Sequence, residues 1–223
     1  MTRYDLVIFD NDGVLVDSER ISNRLMAEYL TELGHPTSFE ESVRNYMGRA
    51  MRSVHDQVRE RSGRRLPAEF DEVFHTRVFA AFRRDLRPVA GVAEVLRSLA
   101  AAGIPYCVAS SGSHERIRVG HRTAGLDHWF DERLLFSADD VPQGKPAPDL
   151  FLHAARSIGV APGRCVVVED SLPGVRAARA AGMHVYGYTA MTPAAVLTDA
   201  DGHFSDMAEL IALLGSDRPS SGQ

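Results

Sequence analysis

Short apolar runs alternate with helix-like stretches along this chain, and this alternation limits the possible folds more than any other feature. The runs at 104–109, 164–168 and 184–188 are continuously apolar, as expected for strands that are buried on both faces. Two further strands are predicted near 4–9 and 134–136, and helices are predicted near 18–33, 114–124, 147–159 and 171–182. Strands that are separated by helices in this way form a parallel sheet, so the sequence predicts an α/β protein whose sheet is flanked by helices.

Residues 34–90 break this alternation, because they contain no convincing strand and offer helical stretches instead. The predicted helices in this region lie near 39–47, 50–62 and 67–84. We therefore expect a small all-helical domain that is inserted after the first strand. The expected boundaries are 1–17 and 88–214 for the core, 18–87 for the helical insertion and 215–223 for a disordered tail.

The composition argues against several classes of protein. The formal net charge of −5 argues against binding nucleic acid, which usually selects a basic face. No apolar run approaches the roughly 20 residues that a membrane helix needs, and Arg3 is soon followed by Asp5, which is unlike a signal peptide. Cys107 and Cys165 fall in predicted buried strands, where small core thiols are expected. We expect a cytoplasmic monomer that has no nucleic-acid or membrane partner and acts on a small molecule.

Polar residues follow the predicted strands, where an open α/β sheet binds its ligands. They are Asp10-Asn11-Asp12-Gly13 after the first strand, Ser110-Ser111-Gly112 after the second, Gly144-Lys145-Pro146 after the third and Glu169-Asp170-Ser171 after the fourth. Acids, hydroxyls and an ammonium at one edge suit a hard divalent cation together with a phosphoryl group. Asp10 and Asp170 are therefore candidates to hold Mg²⁺.

Lys145 is the only lysine of the chain, and the other 24 of its 25 cationic residues are arginine. A single lysine in such a chain favours a site that needs a compact ammonium rather than a planar guanidinium. Chance retention of one lysine is the alternative.

Four motifs, in order along the chain, carry a resemblance to a known family. They are FDNDGVLVDSE at 9–19, VASSG at 108–112, GKPAPDLF at 144–151 and VEDSLPGVRAARAAGM at 168–183. With these motifs the chain resembles the haloacid dehalogenase superfamily, and within it the β-phosphoglucomutase-like branch that carries a helical cap. The resemblance implies a Rossmann-like core, a cap after the first strand and phosphoryl transfer through an aspartyl phosphate.

The resemblance also implies roles for the acids. Asp10 would be the nucleophile, and Asp12 would protonate the leaving alkoxide and then deprotonate the attacking water. Asp170 would bind Mg²⁺ together with Asp10 and the backbone carbonyl of Asp12, and Glu169 would join this site through water or orient it.

The remaining residues of the implied site would hold the substrate. Ser110 would donate a hydrogen bond to the transferring phosphoryl group, assisted by the neighbouring Ser111 and Gly112. Lys145 would neutralise negative charge on the nucleophile and on the phosphoryl group. Within the helical insertion, the stretch YMGRAM at 46–51 resembles a loop that faces the substrate in relatives, which makes Arg49 the candidate specificity residue.

Two positions depart from the family pattern. Asn11 stands where relatives more often have an apolar residue, and we expect its side chain to point away from Asp10 and Asp12 as a tolerated polar group. Ser22 stands where the hexose-phosphate mutase of this branch has a histidine, which favours a phosphatase. At the start of the first helix, Asp17 with Ser18 is expected to form the N-terminal cap.

The expected function is that of a Mg²⁺-dependent phosphatase for a small phosphorylated metabolite, a sugar phosphate or a sugar-acid phosphate such as 6-phosphogluconate. A β-phosphoglucomutase-like hexose phosphate mutase stays open as the alternative. A non-catalytic phosphoacceptor module is disfavoured, because receiver domains are about half this length and lack a helical insertion.

Overall fold

The computed structural model describes residues 4–47 and 51–216. The chain divides into two compact units, Met1–Val16 with Arg87–Gln223, and Asp17–Leu86. The first unit contains a six-stranded parallel sheet in the order β3-β2-β1-β4-β5-β6. Its strands are β1 (Leu6–Phe9), β2 (Tyr106–Ser110), β3 (Leu135–Ser137), β4 (Cys165–Glu169), β5 (His184–Tyr188) and β6 (Gly202–Phe204). The predicted parallel α/β fold is confirmed.

Nine α-helices are found in the part of the chain that the structure describes. They are α1 (Ser18–Glu32), α2 (Phe39–Tyr46), α3 (Met51–Ser62), α4 (Phe70–Asp85), α5 (Val92–Ala101), α6 (His114–Ala124), α7 (Asp149–Ile158), α8 (Leu172–Ala180) and α9 (Met207–Ser216). None of these described helices is both long enough and apolar enough to cross a membrane.

Strand β1 occupies the middle of the sheet, and all four of its residues are buried. It pairs with β2 on one side and with β4 on the other, so the direction of the strand order changes beside it. Leu6 and Ile8 of β1 and Val167 of β4 pack into one core cluster with Cys107 and Cys165. Both cysteines are free and buried, as predicted. The end of β1 therefore lies at the topological switch point, where such sheets bind their ligands.

Three elements were not among the sequence predictions. Strand β6 has only three residues, too few for a periodic pattern to be visible. Helix α5 follows the inserted region, and helix α9 follows β6. The alternation of strands and helices that was used for the prediction did not extend to these two segments. Helix α9 also includes Gly215 and Ser216, which the sequence assigned to a disordered tail. The rest of that predicted tail lies outside the described residues.

The second unit is formed by α1 to α4, and its described residues contain no strand. Tyr29 on α1 stacks on Phe70 at the start of α4, with ring centroids 4.9 Å apart. A buried hydrogen bond of 3.0 Å from Ser42 Oγ to Asn23 Oδ1 joins α2 to α1. Aromatic packing and a satisfied buried polar pair therefore hold these helices together.

The predicted side-chain cap of α1 is wrong. Asp17 is the N-cap residue, but its side chain accepts no hydrogen bond from the helix backbone and instead accepts one from Arg20 Nε at 3.1 Å. Its ψ of 57° differs from the extended value of 166° at Ser38, whose hydroxyl does cap α2. A capping side chain reaches the first turn from an extended backbone, and Asp17 does not have one.

Candidate active site

Lys145 joins two buried carboxylates at the carboxyl ends of the central strands. Its Nζ donates to Asp10 Oδ1 at 2.6 Å, to Glu169 Oε1 at 2.6 Å and to the carbonyl oxygen of Ala109 at 2.9 Å. Asp10 follows β1, Glu169 ends β4 and Ala109 lies in β2, so three neighbouring strands deliver these groups. The three donated bonds match the three protons of an ammonium, which is the compact group that the single lysine was expected to supply.

Burial and the neighbouring charges together shift the pKa values of Asp10 and Lys145. Only 3% of the Lys145 side chain and none of the Glu169 side chain is exposed. Burial raises the pKa of Asp10 to about 7, against the opposing influence of the Lys145 ammonium and with a further increase from Glu169. Burial also disfavours the ammonium, but Asp10 and Glu169 outweigh this and hold the pKa of Lys145 above its ordinary value. Two carboxylates for one ammonium leave a deficit of positive charge at this site.

A third carboxylate completes a group that fits a metal ion. One oxygen each of Asp10, Glu169 and Asp170 lies within 4.8 Å of the others. Gly13 allows this proximity, because it has φ of +83° and a Cβ at this position would lie 2.0 Å from Asp170 Oδ2. Carboxylate oxygens are hard ligands of the type that Mg²⁺ takes, usually one or two per ion. The residues present therefore fit the predicted metal.

Both side-chain oxygens of Glu169 accept hydrogen bonds from the protein. Oε1 accepts from Lys145, and Oε2 accepts from the backbone N–H of Ser171 at 3.0 Å and from its hydroxyl at 2.8 Å. Glu169 is therefore placed to anchor the lysine, and Asp10 and Asp170 remain the predicted direct ligands.

Ser137, which the sequence analysis missed, holds the loop after β2. Ser110 is buried, and its Oγ accepts from the N–H of Gly112 at 3.0 Å, whereas Ser111 is exposed. The carbonyl of Gly112 accepts from Ser137 Oγ at 2.7 Å. Ser137 directly follows the predicted strand at 134–136 and ends the observed β3, so inspection of the first residue after that predicted strand would have identified it.

Asp12, the expected proton carrier, is held by an arginine. Arg116 Nη2 donates to Asp12 Oδ1 at 2.8 Å, and both side chains are partly buried. Arg116 lies in the first turn of α6, directly after the loop that carries Ser110. No sequence signal distinguished it from the other arginines, because 104 residues separate it from Asp12.

Asn11 was expected to be a tolerated polar group that points away from Asp12, but its Nδ2 lies 3.4 Å from Asp12 Oδ2 and its side chain has a buried partner. It is 1% exposed, and its Oδ1 is 2.9 Å from Nε2 of the equally buried His121. The prediction failed because the partner lies on α6, far along the chain, and a single sequence does not show that contact. Arg49 lies outside the described residues, so its contact with substrate stays a prediction.

Comparison with known proteins gives consistent matches over most of the chain. A family model described as haloacid dehalogenase-like hydrolase matches residues 4–182. The chain is 31% identical to the 6-phosphogluconate phosphatase of Escherichia coli (strain K12) over 191 residues, which are 85% of each protein. It is 33% identical to hexitol phosphatase A of the same organism over 195 residues, 87% of each protein.

A solved structure supports the same relationship. The chain superposes with a TM-score of 0.86 and 34% identity on a HAD family hydrolase from Deinococcus radiodurans R1, covering 96% of each chain. That structure contains bound phosphate and sodium.

Proposed function

The chain belongs to the haloacid dehalogenase-like hydrolases and is a phosphomonoester hydrolase, and we propose that it cleaves a small sugar phosphate or sugar-acid phosphate with Mg²⁺ through a phosphorylated Asp10. The observation that carries this proposal is the contact of 2.6 Å between the Lys145 ammonium and the Asp10 carboxylate at the end of the central strand. A buried carboxylate with a neighbouring ammonium is suited to attack an anionic phosphorus centre, because the cation offsets the repulsion between them.

The reaction has two steps. In the first, an Asp10 carboxylate oxygen forms a bond to phosphorus while the ester P–O bond breaks and Asp12 gives its proton to the leaving alkoxide. In the second, water forms a bond to phosphorus, its proton returns to Asp12, and the Asp10–phosphorus bond breaks to release phosphate. Both steps leave the protein unchanged at the end, and the pair of acids divides nucleophilic attack from proton transfer.

The other residues of the site stabilise negative charge and position the reacting groups. Bound Mg²⁺ would supply positive charge toward the phosphoryl oxygens. Asp10 and Asp170 would hold it, and the backbone carbonyl of Asp12 is the further ligand that the family resemblance implies. Ser110, the last residue of β2, would donate its hydroxyl to a phosphoryl oxygen, and Glu169 would keep the Lys145 ammonium in place.

The proposed substrate class rests on the relatives. Two of the curated relatives are named for 6-phosphogluconate and for hexitol phosphates. Gluconate and hexitols are both open-chain polyhydroxylated compounds. We therefore propose linear sugar-acid and sugar-alcohol phosphates ahead of nucleotides. The two buried free thiols of the described core also suit a reducing cytoplasm, where such metabolites are made.

Phosphate release from a panel of substrates tests the proposal. The panel contains 6-phosphogluconate, hexitol phosphates, hexose 1- and 6-phosphates, glycerol phosphate and nucleoside monophosphates, each with Mg²⁺ or with a chelator. We expect the highest kcat/KM for an open-chain sugar derivative and loss of activity with the chelator. Borohydride reduction after acid quenching should convert phosphorylated Asp10 to homoserine, which mass spectrometry detects.

Asp10→Asn is the matched control, because it keeps the shape of the side chain and removes the nucleophile. Full activity of this variant, or activity that survives complete metal removal, would contradict the proposal. Interconversion of hexose phosphates without net phosphate release would instead support the mutase alternative.

A further inference from the structure

Asn11 and His121 form a buried polar pair that the proposed nucleophile and metal ligands do not require. Asn11 follows the nucleophile, whereas His121 lies on α6, 110 residues later. Both are almost fully buried, and their side chains are 2.9 Å apart. Burying two polar side chains costs free energy unless their hydrogen bond compensates.

The direction of the hydrogen bond follows from the groups around it. Asn11 Nδ2 points to Asp12 Oδ2 at 3.4 Å, which leaves its Oδ1 toward His121. An amide oxygen only accepts, so His121 Nε2 must carry the proton and donate it. The reverse amide orientation would place two acceptor oxygens against each other.

The imidazole of His121 is neutral at physiological pH. Its Nδ1 is buried and, within the described residues, has no hydrogen-bond partner, so it carries a lone pair rather than a second proton. Burial lowers the pKa of His121 to about 4, although Asp12 and Asp127 oppose this. The donor at Nε2 is therefore fixed over the physiological range of pH.

The pair reaches the proton carrier through Asn11. Asp12 Oδ1 accepts from Arg116, and Asp12 Oδ2 lies at the amide nitrogen of Asn11. Arg116 and His121 both belong to α6. This helix thus contacts one carboxylate oxygen directly and the other through Asn11.

We propose that His121 is a positioning residue for acid–base catalysis, because it fixes the Asn11 amide that orients the Asp12 carboxyl toward the leaving-group oxygen. This inference rests on the proposed role of Asp12. His121 itself forms no bond to substrate and transfers no proton. Its loss should weaken proton donation to the leaving group while nucleophilic attack by Asp10 is retained.

Substrates with different leaving groups separate these effects. An alkyl phosphate such as glycerol phosphate needs a proton on its departing oxygen, whereas 4-nitrophenyl phosphate releases a stable anion without one. The measured quantity is kcat/KM for the alkyl ester divided by kcat/KM for the aryl ester. We expect this ratio to fall about tenfold in His121→Phe and in Asn11→Leu, within the range for residues that orient a catalytic group.

His121→Gln is the conservative control. A glutamine amide nitrogen can stand where Nε2 stands and donate to Asn11, so this variant should keep most of the wild-type ratio. Phe130→Leu is the control for destabilisation, because the Phe130 ring lies 5.1 Å from the His121 ring and takes no part in the hydrogen bond. We expect it to lower the melting temperature and leave the ratio unchanged.

The double variant Asn11→Leu/His121→Phe covers the case in which a single variant does not fold, since it removes both polar partners together. The ratio of kcat/KM values should fall in the double variant by the same factor as in either single variant, and not by the product of the two factors. Equal losses on both esters in all variants would mean a purely structural pair and would overturn the inference. Asp12→Asn is measured first: if it leaves the ratio unchanged, the proposed role of Asp12 has failed rather than that of His121.

Discussion

Replacing Lys145 with Met removes the ammonium that lies between two buried carboxylates. Met has nearly the same length, so the change removes charge rather than volume. Glu169 has no exposed side-chain surface, and Asp10 is also buried, so neither carboxylate can regain water. Removing one partner of a buried ion pair typically costs about 3–5 kcal/mol. We expect that loss in the free energy of unfolding of the metal-free protein at pH 8.

The pH dependence follows from the sign of the pKa shift. Asp10 in the folded protein has its pKa raised to about 7, and without the lysine it rises further above the unfolded value of about 3.9. The folded variant then binds more protons than the unfolded chain, so its stability falls as pH rises. The loss of unfolding free energy in Lys145→Met, relative to the wild type, should be clearly smaller at pH 5 than at pH 8.

Urea denaturation followed by the fluorescence of Trp129 measures this loss. Trp129 is the only tryptophan, and it belongs to the unit that contains the sheet. With a slope of about 2.5 kcal/mol per molar urea, the midpoint should fall by about 1–2 M. Lys145→Met/Glu169→Gln is the matched control, since it also removes a buried negative charge, and it should recover at least half of the loss. A deficit below about 1 kcal/mol, or an equal deficit at both pH values, would refute the reasoning.

Three further outcomes are expected. Asp10→Asn should lower phosphate release by at least about 10³-fold, because the nucleophile is lost and the shape of the side chain is kept. Activity near that of the wild type would count against the role of Asp10. Burial raises the pKa of Asp10 to about 7, so below that pH Mg²⁺ must displace a proton from the Asp10 carboxyl. Calorimetry should therefore show the affinity of the protein for Mg²⁺ rising about tenfold from pH 6 to pH 8. An affinity independent of pH would show that Asp10 does not bind the metal. Gly174→Ala should cost about 1–3 kcal/mol and reduce activity, because the added Cβ would lie 1.8 Å from Glu169 Oε1 and would displace it from Lys145. Gly163→Ala, where no atom lies within 4 Å of the added Cβ, should leave the melting temperature within about a degree of the wild type, and an equal loss in both variants would contradict the argument.

The fold was predictable wherever the apolar pattern was long enough. Helix α6 begins and ends at the predicted residues, and the predicted strand at 184–188 has the observed bounds of β5. Strand β6, with three residues, carries too little pattern to be found. The N-cap at Asp17 was predicted from residue type alone, yet its backbone angles place the carboxylate beside Arg20 instead. Residue type gives a preference, and local backbone geometry decides whether it is used.

By itself, the sequence determined which chemical groups follow each strand of a parallel sheet. Carboxyl ends of parallel strands share one edge, so Asp10, Lys145 and Asp170 could be expected together before any coordinates were known. How these groups are supported depends on contacts between distant parts of the chain, which the folded structure creates. The contacts of Arg116 with Asp12 and of His121 with Asn11 join residues more than 100 positions apart, and they depend on how α6 packs against the sheet. The fold also sets the ionisation of two of these residues. Burial raises the pKa of Asp10 and lowers that of His121, and no local sequence pattern specifies how deeply either residue is buried.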